Sequence, residues 1–288
     1  MSIIQKAIEK KAQEGRKSTP DTPEVSDGGT VARERAQTAT HDSNRIVPLH
    51  EYSDKQLAVG GAKLKRQITE EFRRIKRPLL HNVSGKGATV VENSNMIMIT
   101  SALPGEGKTF TAIHLAESIA LEREKTVLLI DADSERSTLS MRLGMEKKAG
   151  LVDYLAGEVG DISNVVMPTD MESVKFISAG TSHPHAVELF SSDRMQRLAD
   201  EISGRYPDRI IVFDSPPLLV SNEAVVTSAL MGQILVVVQA EKSKESDVLD
   251  ALGVLDSSKI IGVILNRCGS GQHKGYYYGC SDEPAEDD

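Results

Sequence analysis

Ser101-Ala102-Leu103-Pro104-Gly105-Glu106-Gly107-Lys108-Thr109 lies between an aliphatic run, Met96–Thr100, and a helical pattern with Ile113, Ala116 and Ala120 on one face. Strand, glycine-rich loop and helix is the context in which such a loop grips phosphate. Loop amides and a helix N-terminus point at an anion. Gly105 and Gly107 permit left-handed backbone and close approach. Lys108 brings a point charge to the outer phosphates, and Thr109 offers its hydroxyl to Mg²⁺. Glu106 and Phe110 complete the candidate nucleotide-binding stretch. Ala102 stands where a first glycine is usual.

Three carboxylates end apolar runs further on. Val127-Leu128-Leu129-Ile130 leads into Asp131-Ala132-Asp133, and Ile210-Ile211-Val212-Phe213 into Asp214-Ser215-Pro216-Pro217. The carboxyl ends of strands are where open α/β sheets bind ligands. Any one of these aspartates could be a helix cap or turn former. Three of them beside a phosphate loop repel unless a cation lies among them, and ATP carries Mg²⁺. Asn266 closes the last run, Ile260–Leu265; it either meets an adenine edge or simply ends a strand.

These residues must be held by a sheet. Met96–Thr100, Val127–Ile130, Val174–Ile177, Ile210–Phe213, Ile234–Val238 and Ile260–Leu265 alternate with helical stretches, the pattern of parallel strands buried on both faces. A doubly wound, mostly parallel α/β domain is therefore expected over 95–267. Residues 1–15 read as a short helix, capped by Ser2 with Gln5, apolar at Ile4, Ile8 and Ala12, and ended by Gly15. A helix this short is marginal alone, so it docks on a partner or on its own domain. Residues 16–54 read as a linker, rich in Ser, Thr, Pro, Asp and Gly up to about 46. A helix is expected over 55–80, with a stripe of Leu64, Ile68, Phe72, Ile75 and Leu79, ended by Pro78. Residues 81–94 read as loop.

Composition narrows the function. The 288 residues suit one α/β domain plus extensions, and with 4% aromatics and no Trp the core must be aliphatic. A net charge of −8 argues against a general nucleic-acid binder. Part of that charge lies in Asp282–Asp288, an end that could serve only solubility. Cys268 and Cys280, with no signal peptide, read as reduced cytoplasmic thiols. No apolar run approaches the roughly 18 residues that span a bilayer.

The loop at 102–109, the Asp131-Ala132-Asp133 segment and the Asp214-Ser215-Pro216-Pro217 segment resemble the Walker A, A′ and B motifs of bacterial tyrosine kinases. Glu71, Arg74 and Arg77, spaced by three, resemble that family's N-terminal motif for ring-shaped self-assembly. Pro184-His185-Ala186-Val187-Glu188-Leu189 is similar to its Pro-Asn-Pro-x-Glu-Leu segment, with His185 for Asn. Gly275-Tyr276-Tyr277-Tyr278-Gly279 resembles its terminal tyrosine cluster, in a short version. The likeness covers most of the chain outside 14–46. Phe72–Leu80, Ile99–Thr111 and Gly180–Arg194 most resemble the autokinases encoded beside exosortase-type exopolysaccharide loci. One departure concerns the A′ motif: Glu135 stands where the family usually has a basic residue, with Arg136 next.

The resemblance implies phosphoryl transfer from ATP to tyrosine. Lys108 would stabilise charge on the transferring group. Thr109, Asp131 and Asp214 would hold Mg²⁺ directly or through water, and Asp133 would face the tyrosine as base. Acceptors would be Tyr276, Tyr277 and Tyr278. Residues 268–275 span at most roughly 27 Å extended, a reach that favours a neighbouring subunit's site. The resemblance further implies a homo-oligomer, a membrane-embedded polysaccharide chain-length regulator as partner, a cognate tyrosine phosphatase, and a cytoplasmic place at the membrane through that partner. Two other readings compete. Partition and division-site ATPase switches usually carry a lysine where this loop has Leu103, and have no reason to end in three tyrosines. The Glu135 departure would suit an ATP-binding assembly protein without catalysis.

Overall fold

Each of the six aliphatic runs forms a strand, and one further strand joins them. The computed structural model describes residues 46–87, 90–206 and 208–268. The helix expected over 1–15, most of the linker, the tyrosine cluster and Cys280 lie outside the described residues. The strands are β1 (Met96–Ser101), β2 (Thr126–Asp131), β3 (Val166–Pro168), β4 (Val174–Ile177), β5 (Arg209–Asp214), β6 (Gln233–Gln239) and β7 (Ile260–Asn266). They form a 7-stranded sheet in the order β3-β4-β2-β5-β1-β6-β7. All neighbours are parallel except β3 and β4. The strand not foreseen, β3, is three residues long and ends in proline, which an edge position tolerates.

Side chains alternate between the faces of the sheet. Met96, Met98, Ile211 and Phe213 pack on one side with Phe190 and Leu198. Ile97, Ile99 and Val212 pack on the other with Ile113, Leu115 and Ala116 of the helix after the loop. Burial on both faces is why these strands read as unbroken aliphatic runs.

Two helices precede the sheet: α1 (Leu49–Ala58) and α2 (Gly61–Val83). Both correct the sequence reading. Residues expected as linker up to 54 are anchored: Val47 N–H donates to Pro168 O at 2.9 Å, and Asp170 N–H to Val47 O at 3.0 Å. The Asp170 carboxylate also accepts from the His50 and Glu51 amides at 2.8 and 3.0 Å. A cap supplied 120 residues away leaves no local signal. Pro78 does not end α2, which runs five residues further. The carbonyl that Pro78 leaves without a helical donor belongs to exposed Arg74, while Leu79 is buried and its carbonyl accepts from Gln233 Nε2 at 3.1 Å. Within the expected stripe Phe72 and Leu79 are buried and Ile68 and Ile75 half-buried, whereas Leu64 is exposed.

The remaining helices are α3 (Lys108–Ala120), α4 (Thr138–Arg142), α5 (Leu151–Ala156), α6 (Ala186–Phe190), α7 (Asp193–Gly204), α8 (Asn222–Ser228) and α9 (Glu245–Gly253). Buried Lys76 of α2 reaches the Ser118 carbonyl at 2.6 Å and Glu122 at 2.7 Å, fixing α2 along α3. Among the described residues no helix is long and apolar enough to cross a membrane.

Candidate active site

Strand register brings the chemistry together. Asp214 pairs with Ile99 of β1 on one side and with Asp131 of β2 on the other. The loop after β1 therefore sits beside both acidic strand ends. The loop, Asp214 and Asp133 border a cavity of about 430 Å³. Gly105 and Gly107 have φ of +86° and +107°, the left-handed region that favours glycine. A Cβ on Gly107 would also lie 2.0 Å from Asn266 Nδ2. Asn266 Nδ2 donates to the Glu106 carbonyl at 2.8 Å, and its Oδ1 accepts from the Arg267 amide. Asn266 thus braces the phosphate loop while also lining the cavity.

The Glu106 side chain is turned inward. It accepts from the Leu103 amide at 2.8 Å and from the Ser243 hydroxyl, so its carboxylate holds the loop's shape. Lys108, the first residue of α3, lines the cavity with Thr109 and Phe110. Burial pulls the Lys108 ammonium below its usual range, and Asp214, Asp133 and Glu106 oppose that. The Phe110 ring meets His114 edge-on, with centroids 4.2 Å apart, and Phe72 of α2 lies 6.3 Å from Phe110. The N-terminal helices thereby contact a wall of the cavity.

The three aspartates divide. Asp131 Oδ2 accepts from the Ser140 amide at 2.8 Å and from the Ser140 hydroxyl at 2.7 Å, while Oδ1 accepts from the Asp133 amide at 3.1 Å. Its carboxylate accepts these three bonds from the chain and does not line the cavity, a placement that suits the water-mediated form of the expected Mg²⁺ contact better than the direct one. Burial, foremost, pushes its carboxyl to about 6. Asp214 is buried, with Oδ1 unpartnered. Burial first, and then Asp131, push its carboxyl to about 8, against the hydrogen bond from Thr109. A buried, orphaned carboxylate oxygen costs free energy unless it is protonated or meets a cation. Asp214 and Thr109 thus fit a Mg²⁺ ion accompanying a nucleotide. Asp133 lines the cavity, and Oδ1 accepts from the Arg136 amide at 2.9 Å. Burial raises its carboxyl above the ordinary range, and Lys108 and Arg136 counter that.

Arg136 lines the cavity, so a basic side chain is present one place beyond Glu135. Gln56, Arg142 and Arg267 also line it and were not foreseen. Arg267 adjoins Asn266 and was within reach of the sequence reading. Gln56 and Arg142 come from α1 and α4, short helices with no motif of their own.

A phosphate loop opening α3, with a buried carboxylate at the next strand end and a Mg²⁺-fitting threonine, defines a P-loop nucleotide-binding domain. The family model for the CobQ/CobB/MinD/ParA nucleotide binding domain matches residues 97–279. Tyrosine-protein kinase YwqD of Bacillus subtilis is 33% identical over 199 residues, covering 68% of this chain and 82% of that protein. Tyrosine-protein kinase wzc of Salmonella typhimurium is 31% identical over 248 residues, covering 84% of this chain and 33% of that longer protein. The kinase domain of Escherichia coli tyrosine kinase ETK aligns with a TM-score of 0.56 at 31% identity, over 64% of this chain and 72% of that one. The chain belongs to the bacterial protein-tyrosine kinases, within the CobQ/CobB/MinD/ParA nucleotide-binding group.

Proposed function

We propose that this kinase transfers the γ-phosphoryl group of ATP to the hydroxyls of Tyr276, Tyr277 and Tyr278 on a neighbouring copy of the chain. The observation that carries the ATP·Mg²⁺ reading is the orphaned Asp214 oxygen beside Thr109 at the mouth of the phosphate loop. Bound Mg²⁺ would neutralise charge on the outer phosphates. Loop amides and Lys108 orient those phosphates. Asp133, held by burial above the usual carboxylate range, suits a group that must accept a proton. In the step, the tyrosine O–H proton passes to Asp133, an O–P bond forms, and the bond to the β-phosphate oxygen breaks to leave ADP. Each phosphate adds about two negative charges near pH 7. Phosphorylated tails would therefore repel Asp282, Glu283 and the site carboxylates, leave the site and loosen the assembly.

Transfer between copies is tested by mixing. A Lys108→Met chain with intact tyrosines should be phosphorylated by a Tyr276→Phe/Tyr277→Phe/Tyr278→Phe chain with intact Lys108, and mass spectrometry should locate phosphate on 276–278. No transfer, or phosphate only elsewhere, defeats the proposal.

Assembly follows from α2. Arg74 and Arg77 are exposed and make no hydrogen bond or ion pair among the described residues, while half-buried Glu71 accepts from Gln67 at 2.8 Å. The three are proposed to pair between subunits in a ring. Arg74→Glu/Arg77→Glu should then yield monomers by light scattering, and an unchanged mass would remove the basis for this interface. The proposed role is regulation of exopolysaccharide synthesis or export at the inner face of the membrane. There a membrane-embedded chain-length regulator would activate the kinase and a tyrosine phosphatase would reset the tail.

A further inference from the structure

Glu223 lies outside every motif singled out in the sequence, yet it grips the segment that carries Asp133. It is the second residue of α8, which follows the Asp214-Ser215-Pro216-Pro217 turn. Its side chain is buried, 8% exposed. Glu223 Oε1 accepts from the Ser134 hydroxyl at 2.7 Å. Oε2 has no partner. Ser134 directly follows Asp133, and the turn they open closes through the Arg136 amide on Asp133 Oδ1.

This arrangement is poor for stability. A buried carboxylate with one orphaned oxygen stands against the charges of Asp133 and Glu135. Sites that violate local rules in this way are where function is expected. Asp131 is already fixed by Ser140. Asp133 is held by its amide on Asp131 Oδ1 and by the Arg136 amide on its own Oδ1, and the next residue, Ser134, is held through its side chain by Glu223.

We propose that Glu223 is a positioning residue for phosphoryl transfer: through Ser134 it fixes the carboxylate of Asp133 where the tyrosine hydroxyl must arrive. This rests on the reading of Asp133 as the proton acceptor. Misplacing a reacting group by about 1 Å costs on the order of 10²-fold in rate.

Glu223→Ala and Ser134→Ala should each slow tyrosine phosphorylation at saturating ATP by about 30-fold, with affinity for a fluorescent ATP analogue within about twofold of wild type. The double variant should be no slower than the slower single, because both remove the same contact. Glu223→Gln keeps a carbonyl for Ser134 and should return to within about threefold of the wild-type rate. Wild-type rates in the single variants, additive losses in the double, or affinity falling in step with rate would overturn the inference. If Glu223→Ala does not fold, Ser134→Ala and Glu223→Gln decide by the same criteria. Asp133→Asn separates the two layers. If it is inactive while the Glu223 and Ser134 variants are fast, only the positioning role falls. If it is fully active, the proton-acceptor reading falls and this inference with it.

Discussion

Lys108→Met should lower ATP-dependent tyrosine phosphorylation by about 10³-fold or more while leaving a folded protein. Catalysis of phosphoryl transfer is mostly positioning and charge neutralisation, so a lost cation on the outer phosphates acts in the transition state. Methionine nearly matches lysine in length and has no charge, so the change isolates the ammonium. Lys108 opens α3 directly after Gly107, whose φ of +107° turns the loop into the helix. Burial pulls its ammonium below the usual range, and Asp214, Asp133 and Glu106 oppose that shift. Phosphotyrosine blotting of the purified variant, with circular dichroism to establish folding, checks the result. A folded variant above about a tenth of the wild-type rate would contradict this role.

Asp214→Asn should have opposite effects on activity and stability. Phosphorylation should fall by about 10²-fold or more, since the amide replaces the carboxylate that fits Mg²⁺. Stability without nucleotide should rise, because the variant no longer buries an unpaired acid. Burial, with help from Asp131, raises the folded-state value to about 8, against an ordinary value near 3.8. The folded chain keeps this proton where the unfolded chain has lost it. Its contribution to stability is therefore complete below about pH 4 and is lost as pH rises towards 8. In the nucleotide-free wild type the melting temperature should fall across that window. In the variant the fall should be shallower, though not absent, because Asp131, raised to about 6, titrates in the same direction. At pH 8 the variant should melt about 3–6 °C higher, the equivalent of about 1–2 kcal/mol. Adding Mg²⁺ and ATP should raise the wild-type melting temperature more than the variant's, because ligand binding stabilises only a competent site. Scanning calorimetry across pH, with and without Mg²⁺·ATP, reads all of these. A variant that is less stable at pH 8 and gains as much from the nucleotide would count against the assignment.

Much of the site is local and was legible. The phosphate loop needs glycines at fixed places and a lysine and threonine after them, so Gly105, Gly107, Lys108 and Thr109 announce themselves from spacing alone. Strands buried on both faces must be unbroken aliphatic runs, so six of the seven strands in the sheet could be placed. β3 escaped because three residues ending in proline carry too little pattern. The helix over 49–58 escaped because its cap is the Asp170 carboxylate, far along the chain. Pro78 misled because a backbone preference of its neighbour was outweighed by the burial of Leu79 and its bond to Gln233.

What the sequence alone determined is the set of groups that must be backbone-coded: a loop whose left-handed backbone favours glycine at two positions, and acids at the ends of apolar strands. What the tertiary structure alone decided is where each acid points. Asp131, Asp133 and Asp214 look alike in sequence, yet Ser140 turns Asp131 away from the cavity, Arg136 and Ser134 steady the turn of Asp133, and Asp214 is left buried with an unmet oxygen. Glu223, Gln56 and Arg142 reach this region from helices that carry no motif. Side-chain direction at a strand end depends on which donors the neighbouring elements bring within about 3 Å. Those donors come from residues remote in sequence, so spacing along the chain does not encode them.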